Sequence, residues 1–369
     1  MYQALYRKYR PKTFEEIVGQ DHITKTLANQ IKNNQIGHAY LFTGSRGTGK
    51  TSTAKIFAKA INCTNSANGS PCYNCDTCKA LGEANNVDVI EIDAASNNRV
   101  DEIRDIREKV KFLPVNGKYK VYIIDEVHML TESAFNALLK TLEEPPSHIV
   151  FILATTEVHK LPATILSRCM RFDFHLISSE VLINQLKQIF AAENVTCEED
   201  AYTLIAKAAE GSDRDMLSIA DCLVAYCKGN IKTQDVLNIL GNTGHETYLK
   251  ICQSINTKDV GTALETLDAL EKQGKNMSVV AKDITLCFRN LLVAKTCNTA
   301  NKMLGFSSDI FQKYQTLANT YEVKDLMDNM KIFSAIESEL KYALSPKTLI
   351  ETAIISCLSA SEKKNWFLE

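Results

Sequence analysis

Short apolar runs rich in β-branched and aromatic residues recur through the first half of the chain, a composition typical of buried strands. They occupy residues 39–43, 87–93, 120–128 and 148–156. Amphipathic stretches with helical spacing separate them, at residues 22–33, 51–61, 100–110 and 135–142. Strands that alternate with helices predict an α/β fold with a doubly wound, mostly parallel sheet, in which a ligand binds at the carboxyl ends of the strands.

The pattern changes near residue 177, where the strand runs end and helical spacing takes over. Helices are predicted at 180–193, at 200–210 and from the polar segment 211–215, and beyond about residue 241 throughout. We therefore expect three domains: an α/β domain at 1–176, a small helical domain at 177–240 and an all-α domain at 241–369. The sequence of the third domain contains no cluster of reactive residues, which favours a role in assembly or plain packing over an enzymatic one.

The composition of the whole chain narrows the class of protein. With 369 residues, of which 45% are hydrophobic, the chain is long enough for several packed cores. Its formal net charge is −2, so any DNA contact must be local or shared with partners. The first residues lack the apolar segment of a signal peptide, and no apolar run approaches the ~20 residues that span a bilayer. We expect a cytoplasmic protein with no membrane partner.

One loop carries the most specific chemical signal. It matches GxxxxGK[ST], in which main-chain N–H groups surround nucleotide phosphates, and it lies between a predicted strand and a predicted helix, as this motif requires. Its residues are Gly44, Ser45, Arg46, Gly47, Thr48, Gly49, Lys50 and Thr51, and Ser52 follows in the helix. Lys50 is predicted to contact the β- and γ-phosphates of ATP, and the Thr51 hydroxyl to bind Mg²⁺. The alternative is a glycine-rich surface turn.

Two acids follow an apolar strand downstream of this loop. Asp125 and Glu126 end the run that begins at Lys120, so a parallel sheet would bring both carboxylates to the same edge as the phosphate loop. Asp125 is predicted to complete the Mg²⁺ site and Glu126 to polarise the attacking water. Taken alone, such a pair would by default be a surface turn, and the phosphate loop upstream favours the catalytic interpretation.

Two further residues are candidate phosphate sensors. Thr155 lies near the end of the fourth strand run and is placed to hydrogen-bond the γ-phosphate, although threonines are common at strand ends. Arg214 lies at a helix start, where a cation opposes the helix dipole unless it has an anionic target. The alternative for Arg214 is an ordinary surface arginine.

A basic and aromatic arm precedes the first long helix. Tyr6 and Arg10 belong to it, and Val18 follows shortly after. These three residues are candidate contacts to the nucleotide, by stacking on the adenine or by touching a phosphate. The alternative is a solvated leader strapped onto the domain, and the spacing favours neither interpretation.

Four cysteines lie close together after the helix of the phosphate loop: Cys63, Cys72, Cys75 and Cys78. Their number and spacing suit a closed, tetrahedral Zn²⁺ site in an insert at about 62–80. A metal would fix a segment too small to have its own core. A redox CxxC pair is the alternative, and four clustered thiols favour the metal. The other eight cysteines are scattered singly and are expected to be core residues.

Taken together, these segments resemble the gamma/tau family of bacterial DNA polymerase III clamp-loader subunits, which are AAA+ ATPases. The segments that carry the resemblance are residues 6–11, 18–20, 38–42, 91–96, 124–130 and 136–146, and the cysteine insert directly after the phosphate-loop helix. The segment at residues 136–146 reads NALLKTLEEPP and is very specific to the family. The resemblance covers most of residues 2–240 and continues weakly beyond.

The resemblance implies a role for each candidate residue. It implies an AAA+ nucleotide-binding domain with a zinc-knuckle insert, a helical lid and a helical collar, with ATP, Mg²⁺ and Zn²⁺ as cofactors. Thr155 is similar to the first sensor of the family, and Arg214 to the second, which acts in its own subunit. Arg168, in Ser167-Arg168-Cys169, is similar to the arginine that acts on ATP in the neighbouring subunit, a contribution worth ~10³–10⁵ in rate.

The resemblance also implies partners and a task. The partners would be the delta and delta-prime clamp-loader subunits, further copies of the chain, the sliding clamp and primer–template DNA. ATP binding and hydrolysis would drive loading of the clamp onto DNA. Two alternatives stay open: another AAA+ DNA motor, such as a branch-migration helicase subunit, and a structural clamp-loader subunit that does not hydrolyse ATP.

Overall fold

The computed structural model describes residues 3–66, 68–83, 86–96, 108–240, 245–304, 306, 308–340 and 342–360. The chain divides into two compact units, Met1–Leu240 and Gly241–Glu369. The division of the first unit at residue 176 stays a prediction. The helix predicted at 100–110 falls mostly outside the described residues.

The first unit begins with alternating helices and strands. In chain order these are α1 (Leu5–Lys8), a 3-10 turn (Phe14–Glu16), α2 (Asp21–Lys32), β1 (Ala39–Thr43), α3 (Lys50–Ala60), α4 (Asp76–Ala80), β2 (Val89–Asp93) and β3 (Lys120–Asp125). There follow α5 (Glu132–Glu143), β4 (Ile149–Thr155), α6 (Ala163–Leu166) and β5 (Met170–Asp173), with 3-10 turns at Val127–Met129 and Val158–Lys160. Apart from β5, each strand lies inside a run that the sequence predicts.

In the described part of this unit, the five strands form one parallel sheet in the order β2-β3-β4-β1-β5. Thr43 at the end of β1 is level with Thr155 of β4, and Asp93 of β2 is level with Asp125 of β3. Because parallel strands share one direction, the loops after β1, β3 and β4 leave the same edge of the sheet. The predicted α/β fold is confirmed, and this edge is where the candidate residues converge.

Both faces of the sheet are covered, as a parallel sheet requires. On one face, Tyr40 and Phe42 of β1 pack with Phe57 of α3 in a core that also includes α2. On the other face, Leu41 of β1 packs in a second core with Leu138 of α5. Successive β1 side chains therefore enter opposite cores, and the strand is buried along its whole length.

Four further helices complete the first unit: α7 (Ser179–Ala192), α8 (Glu199–Ala208), α9 (Asp213–Cys227) and α10 (Thr233–Ile239). The prediction that strands end near residue 177 is wrong in detail. Two-residue strands β6 (Thr196–Cys197) and β7 (Asn230–Ile231) pair in parallel here. Pieces this short have no periodicity that a sequence pattern would reveal.

The N-terminal arm docks on these helices rather than lying free in solvent. Leu5 is buried in their core, and its N–H donates to Asp221 Oδ1 at 3.2 Å. Lys8 Nζ contacts Glu193 Oε1 at 2.5 Å, and the Tyr9 hydroxyl donates to the same carboxylate. Burial raises the pKa of Tyr9 to about 12, with the Glu193 bond as the next cause. The arm is therefore held on these helices by hydrogen bonds, an ion pair and the burial of Leu5.

The second unit is helical wherever it is described. Its helices are α11 (His245–Asn256), α12 (Val260–Lys272), α13 (Met277–Thr296), α14 (Ala300–Leu304), α15 (Ser308–Thr320), α16 (Val323–Glu339) and α17 (Pro346–Ala360). Phe288 of the long α13 stacks on Phe333 of α16 at a ring separation of 5.8 Å, and both are fully buried. The predicted all-α character of this part is confirmed. Within the described residues, no helix is both long enough and apolar enough to cross a bilayer.

Asp88 builds the loop that leads into β3. Its carboxylate is fully buried and accepts three main-chain N–H groups, from Val115 at 2.8 Å, Asn116 at 2.6 Å and Gly117 at 3.0 Å. An ionised carboxylate makes stronger hydrogen bonds than a neutral acceptor, so one side chain fixes a turn of three residues.

We predict that Asp88→Ala lowers the free energy of unfolding by about 3 kcal/mol, because it leaves three main-chain donors without their acceptor. Asp88→Asn keeps one acceptor oxygen and should lie between the wild type and the alanine variant. Chemical denaturation of the three proteins measures the difference. Equal midpoints for the wild type and Asp88→Ala would contradict this account of the loop.

Candidate nucleotide and metal sites

The loop between β1 and α3 takes the curved shape that the sequence motif predicts. Gly44 and Gly47 have positive φ angles of +138° and +76°. A Cβ on Gly44 would overlap the carbonyl oxygen of Phe174, and one on Gly47 the hydroxyl of Ser212. Both positions therefore need glycine for space as well as for backbone angle.

Lys50 lies under this loop at the start of α3 and is only 5% exposed. Its ammonium donates to the carbonyl oxygens of Gly44 at 2.7 Å and Ser45 at 2.8 Å. Burial lowers the pKa of Lys50, while the carboxylates of Glu126 and Asp125 act in the opposite direction. A buried cation whose partners are neutral carbonyl groups is stabilised further when an anion replaces them.

Thr51 and Asp125 meet across the sheet edge. The Thr51 hydroxyl donates to Asp125 Oδ2 at 2.6 Å, and Asp125 Oδ1 accepts the N–H of Glu126 at 3.0 Å. Mg²⁺ prefers hard oxygen ligands and keeps several waters and phosphate oxygens. A hydroxyl and a carboxylate side by side, next to a loop that suits phosphate, fit that ion.

Glu126 has a left-handed backbone, with φ of +48°, which turns its side chain towards the end of β4. Its Oε2 accepts the main-chain N–H of Thr156 at 3.2 Å and the Thr156 hydroxyl at 3.0 Å. The carboxylate that the sequence predicts as the catalytic base is therefore held by the adjacent strand. Thr156 was not among the candidate residues.

Thr155 is completely buried, and its neighbours are ionisable groups. Its hydroxyl lies 3.0 Å from His128 Nδ1 and accepts the N–H of Glu157 at 3.0 Å. The His128 ring is also 3.4 Å from Glu126 Oε2 and, through Nε2, 3.4 Å from Glu157 Oε1. His128 thus joins the strand ends that carry Glu126 and Thr155. The sequence offered one clue to it, the position two residues after Glu126.

A cavity of about 920 Å³ opens at this sheet edge. It brings together most of the predicted nucleotide contacts, namely Tyr6, Arg10, Val18, Arg46, Gly47, Thr48, Gly49, Lys50, Thr51, Ser52, Asp125, Glu126 and Arg214. The other predicted residues, Gly44, Ser45, Thr155 and Arg168, are not among those that line it. Arg10 Nε donates to the Ser52 hydroxyl at 3.2 Å, so the arm closes one end of the cavity.

Arg214 enters this cavity from the start of α9. Its guanidinium lies over the Tyr6 ring, 5.6 Å from the ring centre. The N–H of the preceding residue, Asp213, donates to the Gly47 carbonyl at 3.1 Å, which ties α9 to the tip of the phosphate loop. Arg214 thus has an aromatic partner in the arm and lies beside the loop that it is predicted to serve.

Asp213 itself was not a candidate. Its Oδ1 is buried and has no hydrogen-bond partner within the described residues. Burial raises its pKa to about 6, and the Gln185 amide works against that shift. An ionisable group held at a cost in stability and facing a ligand cavity is typical of functional sites.

Arg168 lies at the end of α6, outside the cavity. Its guanidinium donates to the Thr164 carbonyl at 2.8 Å and to Glu143 Oε1 at 2.9 Å, and its side chain is 33% exposed. Within this chain it does not face the phosphate loop. That position is compatible with the predicted action on a neighbouring subunit.

The four cysteines of the insert do converge. The Sγ atoms of Cys63, Cys72, Cys75 and Cys78 all lie within 4.8 Å of one another. Main-chain N–H groups of the last three point at the sulfur of the preceding cysteine, at 3.4, 3.3 and 3.4 Å. Such bonds stabilise thiolates, and four thiolates at this separation fit a tetrahedral structural Zn²⁺. Because all four sulfur atoms come together, the alternative of a redox CxxC pair is disfavoured.

Comparison with known proteins places these sites in context. Three family models match successive parts of the chain: DNA polymerase III, delta subunit, at residues 19–178; DNA polymerase III clamp loader subunit, ATPase lid domain, at 182–229; and DNA polymerase III subunits gamma and tau domain III, at 231–365.

Curated relatives agree with these matches. DNA polymerase III subunit tau of Bacillus subtilis is 46% identical over 98% of this chain and 64% of its own length. Subunit tau of Escherichia coli is 47% identical over 69% of this chain and 40% of its own length. Subunit gamma of Buchnera aphidicola from Acyrthosiphon pisum is 34% identical over 97% of this chain and 99% of its own length. The chain spans only 35% to 64% of the length of the first four relatives.

The raised pKa of Asp213 predicts that the stability of the folded chain depends on pH. Between pH 4 and 6 the unfolded chain ionises this carboxyl while the folded chain still keeps its proton, so stability falls as pH rises through that window and the loss persists above it. Relative to the wild type, Asp213→Asn should gain about 2 kcal/mol between pH 4 and pH 7.5. Denaturant unfolding of nucleotide-free protein at both pH values measures it.

The control for this experiment is Asp215→Asn, an exposed acid two residues further along α9. Its unfolding free energy should follow the wild type at both pH values. Parallel pH profiles for the wild type and Asp213→Asn would show that the carboxyl titrates at its ordinary pKa.

Proposed function

The chain belongs to the gamma/tau family of DNA polymerase III subunits, and on that premise we propose that it is the ATPase motor subunit of a clamp loader. ATP binding and hydrolysis would open a sliding clamp and load it onto primed DNA. The observation that carries the proposal is the convergence of Lys50, Thr51, Asp125 and Glu126 on one cavity. A structural subunit that does not hydrolyse ATP has no need of this complete set.

Nucleotide binding would begin with an exchange of partners at Lys50. Phosphate oxygens replace the carbonyl oxygens of Gly44 and Ser45 that the ammonium now contacts. The main-chain N–H groups of the loop and the positive end of the α3 dipole favour the same anion. The adenine would lie at the other end of the cavity, against Tyr6, Arg10 and Val18.

Thr51 and Asp125 would hold Mg²⁺, and their hydrogen bond at 2.6 Å already places both oxygens on one side of the loop. When bound, this ion neutralises charge on the β- and γ-phosphate oxygens. The side chains do the positioning, because Thr51 lies at the start of α3 and Asp125 at the end of β3, and a hydrogen bond joins the two.

Hydrolysis requires Glu126 to leave Thr156. Its carboxylate then accepts a proton from a water whose oxygen bonds to the γ-phosphorus. The bond from that phosphorus to the bridging oxygen of the β-phosphate breaks, and ADP keeps the electron pair. Thr155 would hydrogen-bond the γ-phosphate. Its hydrogen bond to His128, whose ring also contacts Glu126, would connect that contact to the catalytic carboxylate.

Two arginines would stabilise the charge that develops on the transferred phosphoryl group. Arg214 would leave the Tyr6 ring and reach the γ-phosphate within its own subunit. Arg168 would leave Glu143 and reach ATP on a neighbouring subunit, which makes hydrolysis depend on assembly.

The proposal extends to the assembly. The neighbours would be delta and delta-prime subunits and further copies of this chain, joined through a collar formed by residues 241–369. Residues 1–176 would bind the nucleotide and 177–240 would form the lid. The sliding clamp and primer–template DNA would be the substrates of the complex, in the cytoplasm.

We expect Lys50→Ala to abolish ATP binding and clamp loading, because it removes the cation that meets the phosphates. The assay compares ATP turnover of the chain alone with turnover in the presence of partner subunits, clamp and primed DNA. A Lys50→Ala complex that loads clamps at the full rate would rule out the motor function.

Arg168→Ala should leave nucleotide affinity of the isolated chain unchanged and reduce turnover of the assembled complex by about 10³-fold or more. Arg171→Ala is the matched control, since Arg171 is a half-exposed arginine three residues further on that bonds to Asp173. Turnover lost equally in both variants, or nucleotide affinity lost in the isolated Arg168→Ala chain, would contradict a role in trans.

A further inference from the structure

The cysteine insert (residues 62–80) has no part in the chemistry described above, but it is bonded to the segment that leads into the nucleotide cavity. The Ser70 hydroxyl accepts the N–H of Phe14 at 3.1 Å and donates to Glu15 Oε2 at 2.8 Å. The Tyr73 hydroxyl donates to the Lys12 carbonyl at 2.5 Å. Three hydrogen bonds therefore join two segments that are more than fifty residues apart in sequence.

The bonded segment ends at the wall of the cavity. Residues 12–16 include the 3-10 turn at Phe14–Glu16, and Ile17 and Val18 follow directly and line the end of the cavity assigned to the base. Phe14 and Ile17 are both buried. Only three residues lie between Phe14 and Val18, so the hydrogen-bonded residues are close to the cavity wall.

The insert is also fixed from its other sides. Gly69 packs so closely on α2 that a Cβ there would lie 2.7 Å from Ala28 Cα. The Lys59 ammonium, on the phosphate-loop helix α3, lies over the Tyr73 ring at 5.1 Å from its centre. Tyr73 thus contacts both the helix that follows the phosphate loop and the segment that leads to the base.

Despite these contacts, no described residue of the insert belongs to a hydrophobic core of the chain. Its described secondary structure is the five-residue helix α4, and three of its four cysteines are only partly buried. A segment without a core relies on metal ligation for its fold. Metal ligation by the four cysteines would therefore hold Ser70 and Tyr73 in the positions from which they make these bonds.

We propose that Ser70 and Tyr73 are positioning residues that couple metal binding in the cysteine insert to nucleotide binding in the cavity. The coupling rests on the proposed function, because it presumes that the cavity takes ATP. Linkage makes it reciprocal: if bound metal tightens ATP binding by some factor, bound ATP tightens metal binding by the same factor.

The test uses the full chain and measures two affinities, with a fluorescent ATP analogue for the cavity and a competing chelator for Zn²⁺. In the wild type, removal of Zn²⁺ should weaken nucleotide binding about five- to tenfold, and saturating nucleotide should strengthen Zn²⁺ binding by the same factor. Circular dichroism reports whether the metal-free chain stays folded.

Two variants separate the coupling from simple unfolding of the insert. Ser70→Ala and Tyr73→Phe each keep all four cysteines and should retain a full complement of Zn²⁺. We expect both to bind nucleotide more weakly than the wild type, and removal of Zn²⁺ should then cause a smaller further loss. Asn74→Ala is the control, an exposed position on the same insert that should keep both affinities and the full coupling.

Nucleotide affinity that is the same with and without Zn²⁺ in folded protein would overturn the inference and leave the proposed function intact. Coupling that survives in both Ser70→Ala and Tyr73→Phe would also overturn it. A chain that fails to bind nucleotide even when loaded with Zn²⁺ would instead contradict the proposed function.

Discussion

The hydrogen bond between Thr51 and Asp125 joins the start of the phosphate-loop helix to the end of β3, the two elements on which the candidate site depends. Thr51 belongs to the helix that follows β1, and Asp125 is the last residue of β3. In the sheet β4 lies between these two strands, and its end supplies Thr155. The spacing of Asp125 and Thr155 is therefore set by main-chain pairing of β3 with β4 within a buried sheet, which deforms far less than a loop would.

Each predicted reactive side chain already has a partner inside the chain. Lys50 contacts carbonyl oxygens, Glu126 contacts Thr156, Arg214 lies over Tyr6 and Arg168 contacts Glu143. In the proposed function, binding and catalysis would consist of exchanges, in which one hydrogen bond or ion pair replaces another. Exchanges of this kind have small net free energies, so the protein can be switched by modest changes in what is bound.

The sequence predicts the features that depend on residue type and local spacing. The phosphate loop, the acids after β3 and the four cysteines were found in this way. β5 was missed because it is an edge strand in which only Phe172 is buried, so it lacks the apolar pattern of the central strands. Thr156, His128 and Asp213 were missed for another reason. Their importance lies in contacts between elements distant in sequence, which only packing defines.

The position of Arg168 has a consequence for how much ATP the cell consumes. If Arg168 acts on a neighbouring subunit as proposed, the chain alone would be a poor catalyst, whatever its affinity for nucleotide, because this arginine lies outside its own cavity. Copies made in excess of their partners would hold ATP without consuming it. ATP hydrolysis in the cell would then follow the number of assembled complexes rather than the abundance of this one chain.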